Sequence, residues 1–363
     1  MAARSSGIAL AVAGSGDRHS LQRDPSVEGV FCQAHDGCCE MTRRRDPVEV
    51  AAGDDTDLHE VVNWEPRSVV DYLAVFIYRG LYYGLHWIVL TTAFVLTLAI
   101  LFQPALLVLE EPWTALFFAL SVVPAGLLAA FIWYTDITEN EPLGLVLATF
   151  LLAVLFATFA AVVNTITGAF LLQIPILGAL LFYFLIVGPV EETVKLLAVR
   201  IFAYRSESFD AVIVGAVYGA IAGLGFAAIE NAIYIANVLA EADEGLFAAA
   251  AEISTVRGLV GPGHVLYSAI AGYYLGLAKF NPDRSGPLVV KGLLIAAVLH
   301  ATYNSTVTVV PALSVLVVAL TIGIEIPVSL AAGPYIVLFN LAVGTYLYLK
   351  IGRYRRAYRE ATR

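Results

Sequence analysis

Glu191, Glu192 and Lys195 are three ionisable residues inside an apolar run, set between Leu-Phe-Tyr-Phe-Leu-Ile-Val and Leu-Leu-Ala-Val. A carboxylate near the middle of a bilayer costs roughly 2 to 3 kcal/mol even on insertion scales, so two adjacent ones require a purpose or a compensating partner. Lys195 stands at i+4 from Glu191 and i+3 from Glu192, which puts an ammonium on the same helical side as both. A self-neutralised ion pair is one reading, and a reactive centre is the other. Three later segments favour the second. Glu230 and Asn231 end a glycine-spaced apolar run, His264 follows Gly-Pro-Gly directly, and His300 lies one helical turn before Asn304.

The elements that hold these residues have to be membrane helices. Of 363 residues, 59% are hydrophobic and 14% charged, too apolar for an ordinary soluble domain. From about residue 81 to 352, apolar stretches recur near the ~20 residues that a crossing requires. They predict an all-α, multi-pass transmembrane bundle in the cell membrane, with about eight spans near 85–108, 113–134, 142–168, 175–199, 211–238, 257–279, 287–310 and 333–352. Arginines and lysines cluster before the first span, after the fourth, around the turn after the sixth and after the last. The positive-inside rule then puts both termini in the cytoplasm and demands an even number of crossings. Pro311 to Leu330, with Glu325 and Pro327, is apolar enough to cross, but that parity makes it a re-entrant or surface-lying element. Gly215, Gly219 and Gly223 give the fifth span a smooth side for close helix approach. Gly261, Pro262 and Gly263 are expected to break the sixth helix just before His264.

The flanks carry less chemistry. Residues 1–66 are polar and read as disordered. Met41 opens an ordinary-looking start, so residues 1–40 read as an over-long gene assignment. Residues 67–84 form an amphipathic lead-in, with Val69 to Tyr83 along the membrane surface, 85–352 the membrane domain and 353–363 a basic tail. Cys32, His35, Cys38 and Cys39 offer metal-binding atoms without the paired arms of zinc modules. A net charge of -9 argues against a nucleic-acid partner. The shortage of lysine beside arginine hints at a salt-rich cytoplasm, as in halophilic archaea; growth of the source organism only at low salt removes that expectation.

Glu191-Glu192-x-x-Lys195, Phe226-x-x-x-Glu230 with Asn231, Pro-Gly-His264 and His300-x-x-x-Asn304 stand in this order on successive hydrophobic segments. The pattern resembles the PrsW family of intramembrane proteases, relatives of the CAAX prenyl endopeptidases and bacteriocin-processing enzymes, over about residues 110–310. Glu230 stands where the CAAX enzymes place a histidine, which favours the PrsW branch. The resemblance implies an enzyme that hydrolyses peptide bonds within or beside the bilayer, in membrane-protein substrates such as anti-sigma factors. Two mechanisms remain open. In one, Glu191 and Glu192 bind water with His300, a glutamate tuned by Lys195 acts as base and then acid, and His264 or Asn304 stabilises the oxyanion. In the other, Glu230, His264, His300 and one of Glu191 and Glu192 hold a divalent metal, zinc, which acidifies the water. Family naming leans to the metal, although no His-Glu-x-x-His signature is present.

Two geometric tensions accompany this reading. Adjacent Glu191 and Glu192 point roughly 100° apart on a helix, so one faces the centre and its neighbour meets Lys195 or Arg257. Counting rise from the cytoplasmic helix ends puts Glu191 and His300 near ~15 Å, His264 somewhat higher and Glu230 near ~30 Å, too far for one site unless the boundary at Asp210 is displaced. Buried carboxylates and imidazoles also make proton and cation pathways, so a transporter is the rival function, and a silent membrane scaffold the second.

Overall fold

Inside hydrocarbon every backbone N–H needs an internal acceptor, so apolar stretches of this length form helices. The computed structural model describes residues 57, 59, 64–136, 141–175, 177–242, 244–324 and 327–361. Cys32, His35, Cys38, Cys39, Met41 and Glu325 lie outside the described residues, as does nearly all of the expected disordered tail. Among the described residues the helices are α1 (Val69–Glu110), α2 (Thr114–Tyr134), α3 (Leu143–Leu171), α4 (Leu177–Leu181), α5 (Gly188–Ile201), α6 (Val212–Glu241), α7 (Leu246–Lys279), α8 (Ser285–Thr306), α9 (Val309–Ile322) and α10 (Val328–Ala361). A π-helical turn, Phe182–Val187, joins α4 to α5.

The chain divides into two compact units, residues 1–77 and 78–363. In the first, Ser68 and Asp71 bond each other's backbone N–H groups, a capping box that starts α1. Val69 to Tyr83, expected as a separate lead-in, is the opening of the 42-residue α1. No proline separates it from the apolar run that follows, and the helix continues through Gly80 and Gly84.

Seven helical stretches of the described residues are long and apolar enough to cross a bilayer. The expectation of about eight adds α7, which at 34 residues is long enough but carries Glu252, Arg257 and His264. It begins at Leu246 rather than near 257, after Gly245 in the left-handed conformation. The 14-residue α9 reaches only ~21 Å, short of the ~30 Å hydrocarbon core. The last helix begins beside Thr306, where Tyr335 meets the Thr306 hydroxyl, and later passes Ile132 and Thr135 at the end of α2.

The expected break at Pro262 does not occur. Helix α7 runs through it. A proline removes one N–H from the ladder, the donor to the Gly258 carbonyl, and beside it Asn340 of α10 donates to the Leu259 carbonyl at 2.9 Å. The π turn before α5 has a related cause. Pro189 cannot donate, and the Gly188 N–H reaches back five residues to the Tyr183 carbonyl.

Helix α6 is the centre of the bundle, with 89% of its most apolar window buried. Its glycines lie against α7: a Cβ at Gly215, Gly219 or Gly223 would collide with the carbonyl oxygens of Gly272, Ser268 and His264 respectively. The contacts run in opposite sequence order, so the two helices are antiparallel. A Cβ at Gly188 would lie 2.5 Å from the Ala297 carbonyl oxygen, which brings α5 equally close to α8.

Gly219→Leu should therefore force α6 and α7 apart, an overpacking cost of about 1 to 3 kcal/mol or more. Thermal unfolding in detergent should show a Tm several degrees lower, whereas Gly126→Ala, with open space around it, should leave Tm unchanged. A second expectation concerns Glu141, just before α3. Burial, with Asp136 beside it, pushes its carboxyl up to about 7. The folded chain then holds a proton that the unfolded chain loses near 4.5, so stability should fall as pH rises from about 4.5 to 7. Glu141→Gln should flatten that part of the stability profile, and an unchanged slope would contradict the assignment.

Candidate active site

Four helices bring the ionisable residues together. Helix α5 supplies Glu191, Glu192 and Lys195, all buried on its first turns after the π turn. The adjacent glutamates diverge, as their angular separation requires. Glu192 turns to Lys195, whose Nζ donates to its Oε1 at 2.7 Å. The same Oε1 accepts from His300 Nδ1 at 2.9 Å, and Oε2 accepts from the Ser268 hydroxyl at 3.2 Å. Glu191 faces elsewhere. Its Oε1 accepts from Asn164 Nδ2 at 2.9 Å, and its Oε2 is buried without a hydrogen-bond partner among the described residues.

That oxygen lies 3.7 Å from His300 Nε2. Because Nδ1 of His300 is spent on Glu192, the lone pair of the ring is on Nε2, turned toward Glu191. His264 is fixed from the other side. Lys195 Nζ lies 3.0 Å from its Nδ1, and an ammonium only donates, so Nδ1 accepts and Nε2 carries the proton toward Glu230 Oε2 at 2.8 Å. Glu230 is also paired with Arg257, whose Nε donates to Asn231 at 2.9 Å while its guanidinium lies over the Tyr234 ring.

Aromatic rings wall the centre. Tyr267 stacks on His300 with centroids 5.3 Å apart, Phe226 packs 5.4 Å from His264, and Lys195 sits 4.0 Å above Phe226. The glutamates and imidazoles on the inner side are at most 5% exposed, against 21% for the Glu230 side chain. Glu230 therefore marks the open side of the centre.

Depth counting had set Glu230 apart from His264, and the structure overturns this. Helix ends are not level: Lys279, at the end of α7, bonds the Tyr204 and Ser206 carbonyls beyond α5, at 2.8 and 3.0 Å. Side chains also tilt toward the N-terminus of their own helix, so on antiparallel α6 and α7 Glu230 and His264 lean toward each other. The boundary at Asp210 moves by only two residues, to Val212.

Glu191, His264 and His300 each offer a ligand atom within 4.8 Å of the other two. Glu230, expected in the same ligand set, is not part of this group and is held by Arg257. Donor atoms around tetrahedral zinc at 2.0–2.1 Å stand ~3.4 Å apart, so the 3.7 Å pair is already close to such spacing. The charges point the same way. Three carboxylates face two cations, and the surplus falls on Glu191. The residues present fit a divalent cation. Asn304, expected as an oxyanion donor, is half-buried and makes no hydrogen bond to Glu191, Glu192, His264 or His300 among the described residues.

Against known proteins, the profile of the PrsW family intramembrane metalloproteases matches residues 141–331. The chain belongs to the PrsW family. It is 30% identical over 186 residues to Protease PrsW of Halalkalibacterium halodurans, covering 51% of this chain and 80% of that protein. To Protease PrsW of Bacillus subtilis it is 29% identical, over 52% and 80% of the two chains, and to that of Geobacillus kaustophilus 31%, over 50% and 76%. No solved structure matches it. It is thus a multi-pass intramembrane protease of a family described as metalloproteases. The match covers α3 to α9, the segment that carries every PrsW motif residue named above.

Sequence reasoning missed Asn164, Tyr267 and Ser268. Asn164 is the only amide side chain in α3, which is the signal that was available. Ser268 lies one turn beyond His264, on the side that the histidine already marked. Glu192→Gln should strip Lys195 of its main counter-charge and free the His300 ring. Breaking a buried pair by removing one partner costs about 3 to 5 kcal/mol, and losing the carboxylate behind a ligating imidazole costs about 10- to 100-fold in metal affinity. Detergent Tm and divalent-metal titration together check this, and wild-type values for both would refute the arrangement described.

Proposed function

We propose that the chain cleaves single-pass membrane proteins, of the anti-sigma-factor kind, at the cluster of Glu191, His264 and His300, with zinc held by Glu191 Oε2 and the two Nε2 atoms. The observation that carries this reading is the buried, unpartnered Oε2 of Glu191 beside two imidazoles. Two nitrogens and one carboxylate oxygen, with a further position left open, form the donor set of hydrolytic zinc sites. When bound, the ion acidifies a water and polarises the scissile carbonyl.

The remaining work falls to the chain. Glu192 keeps His300 in the tautomer that leaves Nε2 free, and Lys195 fixes the His264 ring with its Nε2 toward Glu230. Ligation through His264 Nε2 requires the other tautomer of that ring: Nδ1 takes a proton from Lys195 as Nε2 gives one to Glu230, the acceptor already in contact with it, which releases it to solvent on the open side. Glu230, on the open side, then serves as base and acid. It takes a proton from the water as the water oxygen bonds to the scissile carbonyl carbon. It returns that proton to the amide nitrogen as the C–N bond breaks, leaving a free carboxylate and an amine. Arg257, itself bonded to Asn231, holds Glu230 at this place.

Purified protein, incubated with candidate single-pass substrates, should separate the roles. Glu191→Ala and His300→Ala should lose both zinc and cleavage. Glu230→Gln should keep zinc and lose about 10²- to 10⁴-fold in kcat/KM, the range for removing an acid–base group. Cleavage that persists in Glu191→Ala would refute the centre, and zinc lost in Glu230→Gln would make Glu230 a ligand instead.

A further inference from the structure

Asn164 lies outside the sequence motifs, on a helix that supplies no other group to the centre. Its Nδ2 is the one hydrogen-bond donor on Glu191 among the described residues, at 2.9 Å from Oε1. The other polar neighbour of that carboxylate is Lys195, whose Nζ is 3.8 Å from Oε2, beyond hydrogen-bond length. The terminal torsion of a glutamate is broad, so an unanchored carboxylate turns with little resistance. A short turn would carry Oε2 onto the ammonium. Lys195 already bonds Glu192 at 2.7 Å and has donor capacity to spare.

We infer that Asn164 is a positioning residue: its amide pins Oε1 of Glu191, holds the carboxylate off Lys195, and so keeps Oε2 facing the two imidazoles as a ligand atom. This rests on the zinc reading of the same centre. A second observation separates the role from simple stabilisation. The Asn164 Oδ1 atom is buried and has no partner among the described residues. A span selected for stability would carry an aliphatic residue here, because an unsatisfied acceptor in a membrane interior is a cost. The amide is placed for its donor, at the expense of its acceptor.

The test uses full-length protein in detergent, with zinc alone as the probe. Affinity is read by competition with a chromophoric chelator, and Tm is read on the metal-free protein. Asn164→Leu and Asn164→Ala should each weaken zinc binding about 10- to 100-fold. The metal-free Tm of Asn164→Leu should equal or exceed that of wild type. Zinc affinities within twofold of wild type in both variants, with binding abolished in Glu191→Ala, would overturn this inference and leave the proposed centre intact. A metal-free Tm that drops together with affinity in Asn164→Leu would reduce the amide to a structural role and overturn it as well. Wild-type zinc affinity in Glu191→Ala, or no zinc binding by the wild-type protein, would remove the proposed centre and this inference with it.

Discussion

One buried carboxylate ties the bundle together at its polar heart. Glu192 is fully enclosed and receives donors from three helices: Lys195 of α5, Ser268 of α7 and His300 of α8. Away from water each of these groups is costly alone, and together they satisfy one another. The close helix contacts follow from that need. A side chain as short as serine reaches that carboxylate from another helix only if the two backbones stand near each other. Gly219 lies at Ser268, Gly223 at His264 and Gly188 at Ala297, each at a place where a methyl group would hold the helices apart.

Two neighbouring glutamates thereby acquire different chemistry. Glu192 is saturated by charge and hydrogen bonds, and Glu191 keeps one oxygen free. Their sequence context is nearly the same, and the difference arises from the ~100° step between successive residues on a helix. One step faces the lysine and Ser268, the other faces α3 and the imidazoles. Phe226 and Tyr267 pack on the imidazoles beside them, and such apolar surroundings strengthen interactions among the charges.

Much of this was legible in the sequence, and the failures have physical reasons. Glu191, Glu192, His264 and His300 were readable because ionisable residues in apolar runs are rare and need partners. The membrane helices were readable from length and hydropathy. Gly-Pro-Gly misled because it reports a local preference, whereas α7 runs through it within a packed bundle in which Asn340 donates to the nearby Leu259 carbonyl. Glu230 was set too far from His264 because counting rise assumes level helix ends and ignores the tilt of side chains along antiparallel helices. Asn164 was passed over because a single amide in a span carries no spacing pattern; only the fold reveals what it meets.

The π turn at Phe182–Val187 sets a restriction of an unusual kind on this chain. One residue beyond the α-helical repeat is accommodated there, immediately upstream of Glu191. Inserting one further residue that the turn did not absorb would rotate the whole acidic face by about 100°. Glu191 would then turn away from the imidazoles. Side chains in the turn are free to vary within their packing, but the number of residues is not: the enzyme's geometry is written there as a length.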